Sequence, residues 1–421
     1  MDQAFAAGNQ GIICENVPLP LGKKLVLGLQ HAFTMFGATV LVPLITGLDV
    51  SVALFMAGIG TLLFHLITRG RIPVFLGSSF AFIAPLAAVT GAYGSDAFKP
   101  EMMPFALGGA FIAGLLYLLL ALLVGIYGPA RVIGFFPPVV TGPIIMVIGL
   151  KLAPVAIEMA GSNWFLAAVS FSIVTAVSVF GKGFFRVLPG LTGLIGGYAV
   201  AVIMGLVDFT NVCNTGWAAL PHFTLARFDP HLIMIVAPVA IATMVEHIGD
   251  VLAIGETVKK NYIESPGLHM TLIGDGIATS VSTMFGGPPN TTYSENTGVV
   301  ALTKVHNPQV MRVAAGFAIL MGVVPKLGCI ISTIPKAVVG GISVVLFGMI
   351  AAIGARSLIE GRIDLCQSRN LIIVAVILVL GLGGAVFPVT LGTLSFKIEG
   401  MALAAIVGIL LNKILPTEKA E

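Results

Sequence analysis

The chain has 421 residues, of which 57% are hydrophobic and only 10% are charged. A soluble domain carries about 25% charged residues, so this composition excludes a soluble globular protein and predicts a polytopic membrane protein. The net charge of +3, without a run of basic residues, argues against a nucleic-acid partner. The four cysteines are scattered without pairing or metal-ligand spacing, which predicts neither disulfides nor a metal site.

Apolar stretches of about 20 residues, bounded by charges or turn residues, predict fourteen transmembrane segments. Their approximate bounds are 25–47, 51–68, 75–92, 103–127, 133–156, 163–180, 187–207, 230–253, 267–285, 292–303, 309–329, 335–354, 370–388 and 398–414. Polar tails at 1–24 and 415–421 and a polar connector at 211–229 complete the chain. With a cytoplasmic N-terminus, most of the 22 lysines and arginines fall on the cytoplasmic side, which predicts that both termini are cytoplasmic and the connector is outside.

Two pairs of interrupted segments recur seven segments apart. The fifth and twelfth segments both begin with proline and glycine at matching positions, over 137–142 and 335–340. The third segment is broken near 77–80 and the tenth near 292–295. Because repeats offset by an odd number of segments have opposite orientations, the pairs predict two inverted seven-segment repeats, as in secondary transporters with a midplane site. The two repeats would span residues 25–210 and 230–414.

Acidic residues inside the predicted segments mark a candidate site, because a charge at membrane depth is costly. They are Glu246, Asp250, Asp275 and Glu295. Glu295 lies in the polar run 288–298, PPNTTYSENTG, which cannot form an ordinary lipid-facing helix. Broken polar backbone at membrane depth is tolerated only against protein or a water-filled cavity, so the run predicts a transporter's substrate site.

Several of these groups are candidates for proton coupling. Glu246 and Asp250 are four residues apart and share a helix face, where two close carboxyl groups disfavour joint ionisation and can share one proton. Alternatively, Asp250 lies near the cytoplasmic end of its segment and is simply solvated. Asp275 either joins the proton path or caps a break in its helix. His31 can take up a proton near neutral pH, although a structural hydrogen bond is the favoured role, and His247 is expected to pack on another face.

Backbone groups next to the two interruptions can bind the edge of an amide-rich ring such as a pyrimidine. A carboxylate such as Glu295 accepts ring N–H groups, and backbone amides near Ser79 donate to ring carbonyls. Phe80 either stacks on the flat ring or packs as a core aromatic. Gly37 and Ala38 in the first segment let a substrate or a neighbouring backbone approach closely.

Motifs along nearly the whole chain resemble the nucleobase–ascorbate transporter family, and within it the bacterial uracil permease branch. The segment that resembles the family signature is ENTGVVALTK at 295–304. The other matching motifs are PNTTY at 289–293, QH at 30–31, FGA at 36–38, LGSSFAF at 76–82 and EHIG at 246–249.

This resemblance implies an all-α polytopic fold of fourteen segments in two inverted repeats, with core and gate domains and short strands in the third and tenth segments. It also implies proton-coupled uptake by alternating access and a homodimer in the lipid bilayer of the bacterial inner membrane. No cofactor besides the coupling proton is implied. The implied base ligands are the carboxylates of Glu246 and Glu295 and the backbone N–H groups of Phe80 and Ser294, with Ala38 and Tyr293 lining the pocket. The position matching His31 belongs to a polar pair linked to function.

Three positions depart from the uracil permease pattern. That branch has histidine at the position of Asp250, glycine at Ser294 and asparagine at Asp275, so a histidine proton relay is in doubt here, although an acid can serve. Purine-transporting relatives also carry an acid in the ninth segment, but have glutamine at the position of Glu295. Glu295 therefore favours uracil as the substrate, and Asp275 keeps xanthine or uric acid open. A passive channel would instead ignore a proton gradient, and no nucleophile or metal constellation of an intramembrane enzyme is evident.

Overall fold

The computed structural model describes residues 19–391 and 394–416. Most of the two predicted tails, residues 1–18 and 417–421, lies outside the described residues. Between them the chain is mainly helical, and the helices fall in two halves joined by the predicted connector at 211–229.

The helices of the first half are α1 (Leu21–Thr46), α2 (Val50–Ile67), α3 (Ile83–Thr90), α4 (Met103–Tyr127), α5 (Pro129–Ile133), α6 (Pro138–Lys151), α7 (Ala153–Gly161), α8 (Trp164–Phe180), α9 (Pro189–Ile203) and α10 (Thr210–Asn214). Those of the second half are α11 (Pro230–Val236), α12 (Ala240–Val258), α13 (Leu268–Met284), α14 (Ser294–Thr303), α15 (Gln309–Gly322), α16 (Pro325–Ser332), α17 (Lys336–Glu360), α18 (Ser368–Leu382) and α19 (Gly400–Ile414). Short 3₁₀ turns include Phe80–Phe82, just before α3, and Ala237–Val239, between α11 and α12.

Four short strands form two separate antiparallel pairs among the described residues. They are β1 (Leu76–Ser78), β2 (Asn290–Thr292), β3 (Val386–Leu391) and β4 (Leu394–Glu399). The pair β1–β2 joins the two halves of the chain, and β3–β4 lies between α18 and α19. The fold is therefore mainly helical rather than strictly all-α.

Fewer helices reach spanning length than the fourteen predicted segments. In the described part of the chain, six helices are long and apolar enough to cross a membrane, or seven if α15 and α16, bent by 78°, count as one. Other predicted segments fall on shorter apolar helices, such as α8, α9, α18 and α19. The chain is thus a multi-pass membrane protein whose segments are often broken or short.

Proline explains one shifted boundary. The fifth segment begins its helix at Pro138 rather than near 133, and after a break at Leu152 it continues to Gly161. The N-caps of α6 and α17 are Pro137 and Pro335, the prolines that match between the two halves. Proline is tolerated at a helix start because the N–H that it lacks would have no intrahelical partner there.

The hairpin β3–β4 differs from the sequence expectation of a thirteenth segment that runs to 388. Helix α18 ends at Leu382, and the chain then turns through Gly384, which has a φ of +66°. Glycine adopts this left-handed conformation without a steric penalty. The residues that follow, Val386 and Phe387, are β-branched or aromatic and favour a strand.

The helices pack in two groups. In one group α13 packs against α4 and α2, and α2 packs against α15. In the other group α17 packs against α6, α7, α8 and α9. Helices α1 and α12 contact members of both groups: α1 touches α15 and α9, and α12 touches α4 and α6. The strand pair β1–β2 belongs to the first group, since α2 packs against β1 and α13 against β2.

Glycine lets helices within each group approach closely. A side chain on Gly276 of α13 would clash with the Gly114 carbonyl of α4, and one on Gly354 of α17 would clash with α6 at Gly142. Small residues at such crossings are typical of membrane helices, which associate through close packing. The close packing fixes the frame on which the two strands are held.

Candidate functional site

The centre of the candidate site is the short antiparallel ladder formed by β1 and β2, here called the strand crossing. Their register pairs Leu76 with Thr292, Gly77 with Thr291 and Ser78 with Asn290. Two backbone bonds extend the ladder, from Ser79 N to Pro289 O (2.8 Å) and from Tyr293 N to Phe75 O (3.0 Å). The polar runs seen in the sequence therefore satisfy their backbone groups with each other, as buried backbone at membrane depth requires.

Each strand is also tied to the helix before it by a threonine. Thr61 of α2 accepts a hydrogen bond from Leu76 N (2.9 Å) through its hydroxyl oxygen. Thr279 of α13 donates from its hydroxyl to Asn290 O (2.9 Å). The two anchors occupy corresponding places in the two halves of the chain.

Tyr293 connects β1 to α1. Its hydroxyl donates to Ser78 O (3.0 Å) and accepts from Thr39 Oγ1 (3.3 Å). Ser78 Oγ in turn donates to Thr39 O (3.1 Å). Position 77 needs glycine because any Cβ there would clash with the Tyr293 ring. Tyr293, which was predicted to line the pocket, is thus buried and bonded to Ser78 and Thr39. Ala38, the other predicted lining residue, is also buried.

Two helices begin immediately after the strands. A 3₁₀ turn starts at Phe80 after β1, and α14 starts at Ser294 after β2. Neither start has a side-chain cap hydrogen bond. The first N–H groups of a helix have no intrahelical partner, and the helix dipole places partial positive charge on them. Because β1 and β2 are antiparallel, the two starts lie at opposite ends of one short ladder and can donate to a polar ligand between them.

Glu246 lies on α12, beside this crossing. Its side chain is half-buried, and its Oε2 is buried with no hydrogen-bond partner among the described residues. The Glu246 carboxyl interacts electrostatically with Asp250, Asp275 and Glu295. The structure therefore brings the four acidic residues singled out in the sequence into one cluster.

Asp250, one turn further along α12, uses both carboxylate oxygens as acceptors. Oδ2 accepts from Thr292 Oγ1 (2.7 Å) and Oδ1 accepts from Ser294 Oγ (2.8 Å). The half-buried Asp250 is thus held by the strand-to-helix turn, rather than lying free in solvent at the end of its helix.

Open space borders the acidic cluster. The side chain of Glu295, in the first turn of α14, is exposed, and so is Gly298 one turn later. A methyl group on Gly298, or on Gly249 next to Asp250, would have no neighbour within 4 Å among the described atoms. Space is therefore open at Gly249 and Gly298, near Asp250 in sequence on α12 and Glu295 in sequence on α14.

Asp275 lies on α13 and has a partner that was missed at sequence level. His247 Nδ1 lies 3.1 Å from Asp275 Oδ2, and both side chains are fully buried. The rings of Phe64 and Tyr117 approach His247 edge-on, with centroids 6.5 and 6.2 Å away. The expectation that His247 only packs is therefore wrong, since it pairs with an acid. Two buried ionisable residues on adjacent segments were the signal, because such residues usually pair with one another.

His31 of α1 bonds to Asn296, the residue of α14 that follows Glu295. Asn296 Nδ2 lies 3.0 Å from His31 Nδ1 and donates to His31 O (3.2 Å). Because the backbone oxygen identifies this amide atom as the NH₂ donor, Nδ1 is the acceptor and carries no proton. The bond links α1 to α14 directly beside Glu295.

Phe80 extends from the helix group that holds the strands towards the other group. Its half-buried ring meets Phe347 of α17 edge-on, with centroids 5.7 Å apart. One contact therefore crosses between the two groups at the level of the strand ends. The ring edge of Phe80 is engaged by protein, and its backbone N–H opens the 3₁₀ turn.

The hydroxyl groups of Thr292 and Ser294, which donate to Asp250, were not identified from the sequence. Thr292 was noted only as part of a polar run, and Ser294 only for its backbone N–H. A signal was present, because a buried carboxylate needs donors and the nearest ones in sequence follow the second interruption. Sequence order alone did not pair residues 250 and 294.

Known proteins similar to this chain were found at both the sequence and the structure level. A family model described as a permease family matches residues 22–390. The uracil permease of Bacillus caldolyticus is 45% identical over 94% of this chain and 93% of its own length. The uracil permease of Bacillus subtilis (strain 168) is 43% identical over 96% of this chain and 95% of its own length.

Among solved structures, the transmembrane domain of a cyanobacterium bicarbonate transporter, BicA, has a similar fold. The TM-score is 0.63 at 15% sequence identity, covering 96% of this chain and 98% of that chain. This likeness concerns the fold alone. The sequence match over residues 22–390 shows the family: the chain belongs to the permease family that includes these relatives, the nucleobase–ascorbate transporter family.

Proposed function

We propose that this protein takes up uracil across the bacterial inner membrane, coupled to protons, by alternating access. As a member of a permease family, it is a transporter and not an enzyme. The relatives named uracil permeases support uracil as the substrate. The observation that carries the proposal is the cluster of four carboxyl groups beside two uncapped helix starts.

The chemistry of uracil fits this arrangement. Its ring offers two N–H donors and two carbonyl acceptors. In the proposal, the carboxylates of Glu295 and Glu246 accept the ring N–H groups, and backbone N–H groups at Phe80 and Ser294 donate to the carbonyls. Ala38 and Tyr293 support the pocket wall behind the strand crossing.

Proton coupling is proposed to depend on Glu246, assisted by Asp275. Glu246 has a buried oxygen without a hydrogen bond and three carboxyl groups within electrostatic range, so a proton there relieves repulsion and lets a neutral base bind. The predicted coupling residues Asp250 and His31 are less suited, because their acceptor atoms already receive hydrogen bonds from Thr292, Ser294 and Asn296, which protonation would weaken or break.

The architecture behind this mechanism is proposed to be fourteen segments in two inverted repeats, 25–210 and 230–414. Helix pairings that correspond by a shift of seven segments support it. The contacts α2–α15 and α4–α13 correspond in this way, and so do α8–α9 and α18–α19. The antiparallel pairing of β1 with β2 is consistent with a two-fold axis through the strand crossing.

Movement is proposed to occur between the two helix groups. The group that carries β1 and β2 acts as the core, and the group around α17 acts as the gate. Rocking of one against the other would expose the site to each side in turn. We further propose a homodimer in the lipid bilayer, cytoplasmic tails at 1–24 and 415–421, and an extracytoplasmic connector at 211–229.

Ligand titration tests the substrate. We expect purified protein to bind uracil, measured by calorimetry, and a saturating excess of uracil to abolish any heat from xanthine. Uric acid and ascorbate serve as further competitors. Binding of xanthine or uric acid in preference to uracil would overturn the substrate assignment and favour a purine symporter.

A further inference from the structure

One carboxylate brackets the turn from β2 to α14. Thr292 is the last residue of β2 and Ser294 is the first of α14, and both donate their hydroxyl hydrogens to Asp250. Each oxygen of the carboxylate takes one of the two bonds, at 2.7 and 2.8 Å. These lengths are usual for O–H···O bonds, and bonds to an ionised carboxylate are stronger than those between neutral groups.

The three groups replace an ordinary helix cap. A helix usually begins with a side chain that accepts hydrogen bonds from its first N–H groups. At the start of α14 the N-cap residue is Tyr293, which makes no such bond, and the Ser294 hydroxyl is turned to Asp250. The start of α14 is therefore fixed from outside the helix, and the Tyr293 side chain does not cap its first N–H groups.

Proton uptake by Asp250 would disturb this arrangement. A protonated carboxyl group carries a hydrogen on one oxygen, which then competes with the hydroxyl donor bound there. One of the two hydroxyl bonds would therefore weaken each time Asp250 took up a proton. Glu246, by contrast, has an oxygen with no bond to lose among the described residues.

We propose that Asp250, through Thr292 and Ser294, is a positioning residue that holds the start of α14 in place for substrate binding. We call Asp250, Thr292 and Ser294 the clamp. Because Glu295 immediately follows Ser294, the clamp determines the position of the Glu295 carboxylate and of the adjacent N–H groups. This inference rests on the proposed uptake function, because substrate binding is the step that the clamp would support. It assigns Asp250 a role distinct from carrying the coupled proton.

Transport kinetics test this role with matched variants. Asp250→Asn removes the charge and replaces one acceptor oxygen with an NH₂ group, and Thr292→Val removes one of the two hydroxyl donors. Both variants nearly keep side-chain size, and we expect KM for uracil to rise about tenfold in each. The maximal rate and its pH profile should change little. Because both variants break the same unit, the double variant should raise KM no more than Asp250→Asn alone.

Two controls separate the clamp from general damage. Thr292→Ser keeps the hydroxyl and should keep KM near that of the wild type. Thr283→Val removes a buried hydroxyl that bonds only within α13, and should also leave KM unchanged. The proposal is overturned if Asp250→Asn retains its KM but loses proton-driven accumulation, because Asp250 would then carry the proton.

Hydrogen exchange gives a readout that does not depend on the substrate. We expect faster amide exchange over 290–298 in Asp250→Asn and Thr292→Val than in the wild type, Thr292→Ser or Thr283→Val. Unchanged exchange would overturn the clamp whatever is transported. If the wild type bound no uracil but the variants showed the expected difference in exchange, only the proposed function would be ruled out.

Discussion

Replacing Glu246 by glutamine is expected to abolish proton-driven accumulation of uracil. Glutamine keeps the size of the side chain and one acceptor oxygen, but it cannot take up and release a proton. For one proton per uracil, an inward gradient of one pH unit supports about tenfold accumulation in the wild type. In Glu246→Gln the internal uracil concentration should stop at the external concentration.

The control for this experiment lies on the same helix. Glu256 is 84% exposed and pairs with Lys259, so Glu256→Gln makes the same chemical change away from the cluster and should leave accumulation intact. Uracil binding to Glu246→Gln, measured separately by calorimetry, distinguishes lost coupling from lost binding. Continued accumulation against a gradient by Glu246→Gln would contradict the coupling role and direct attention to Asp275.

Glu295→Gln is expected to weaken uracil binding by about 10- to 100-fold. The Glu295 carboxylate accepts a hydrogen bond from the ring N–H group that faces it, whereas glutamine carries no charge and replaces one acceptor oxygen with an NH₂ group. Hydrogen bonds to charged groups contribute about 1.5–3 kcal/mol, which corresponds to this loss of affinity.

The dissociation constant of uracil, measured by calorimetry for Glu295→Gln and Glu256→Gln side by side, tests this expectation. Glu256→Gln should bind as the wild type does. The Glu295→Gln variant should lose affinity for uracil more than for xanthine, because relatives that transport purines resemble it at this position. Unchanged uracil affinity in Glu295→Gln would remove Glu295 from the binding site.

Composition predicted the broken places in the fold because their physical cause is local. Glycine and serine at 77–79 and the prolines at 288–289 do not favour an apolar helix. The structure has β1 over Leu76–Ser78, and β2 over Asn290–Thr292 directly after the prolines. The matching prolines Pro137 and Pro335 lie at the same position of their helices, the N-cap. Both features follow from the conformational limits of single residues.

Contacts between distant residues could not be predicted in this way. Nothing local pairs Leu76 with Thr292, because their hydrogen bonds depend on the packing of α2 and α13. Asp250 and Ser294 were noted as two separate departures from the family pattern, and the structure shows that they bond to each other. The acidic residues could therefore be singled out from the sequence, but the partners of Asp250 and His247 were found only in the structure.

The most direct test of the account is uptake of radiolabelled uracil into proteoliposomes, with and without an inward proton gradient. The account predicts accumulation above the external concentration only with the gradient, blocked by unlabelled uracil and not by xanthine. Uptake that stops at equal concentrations under every gradient would contradict proton-coupled transport.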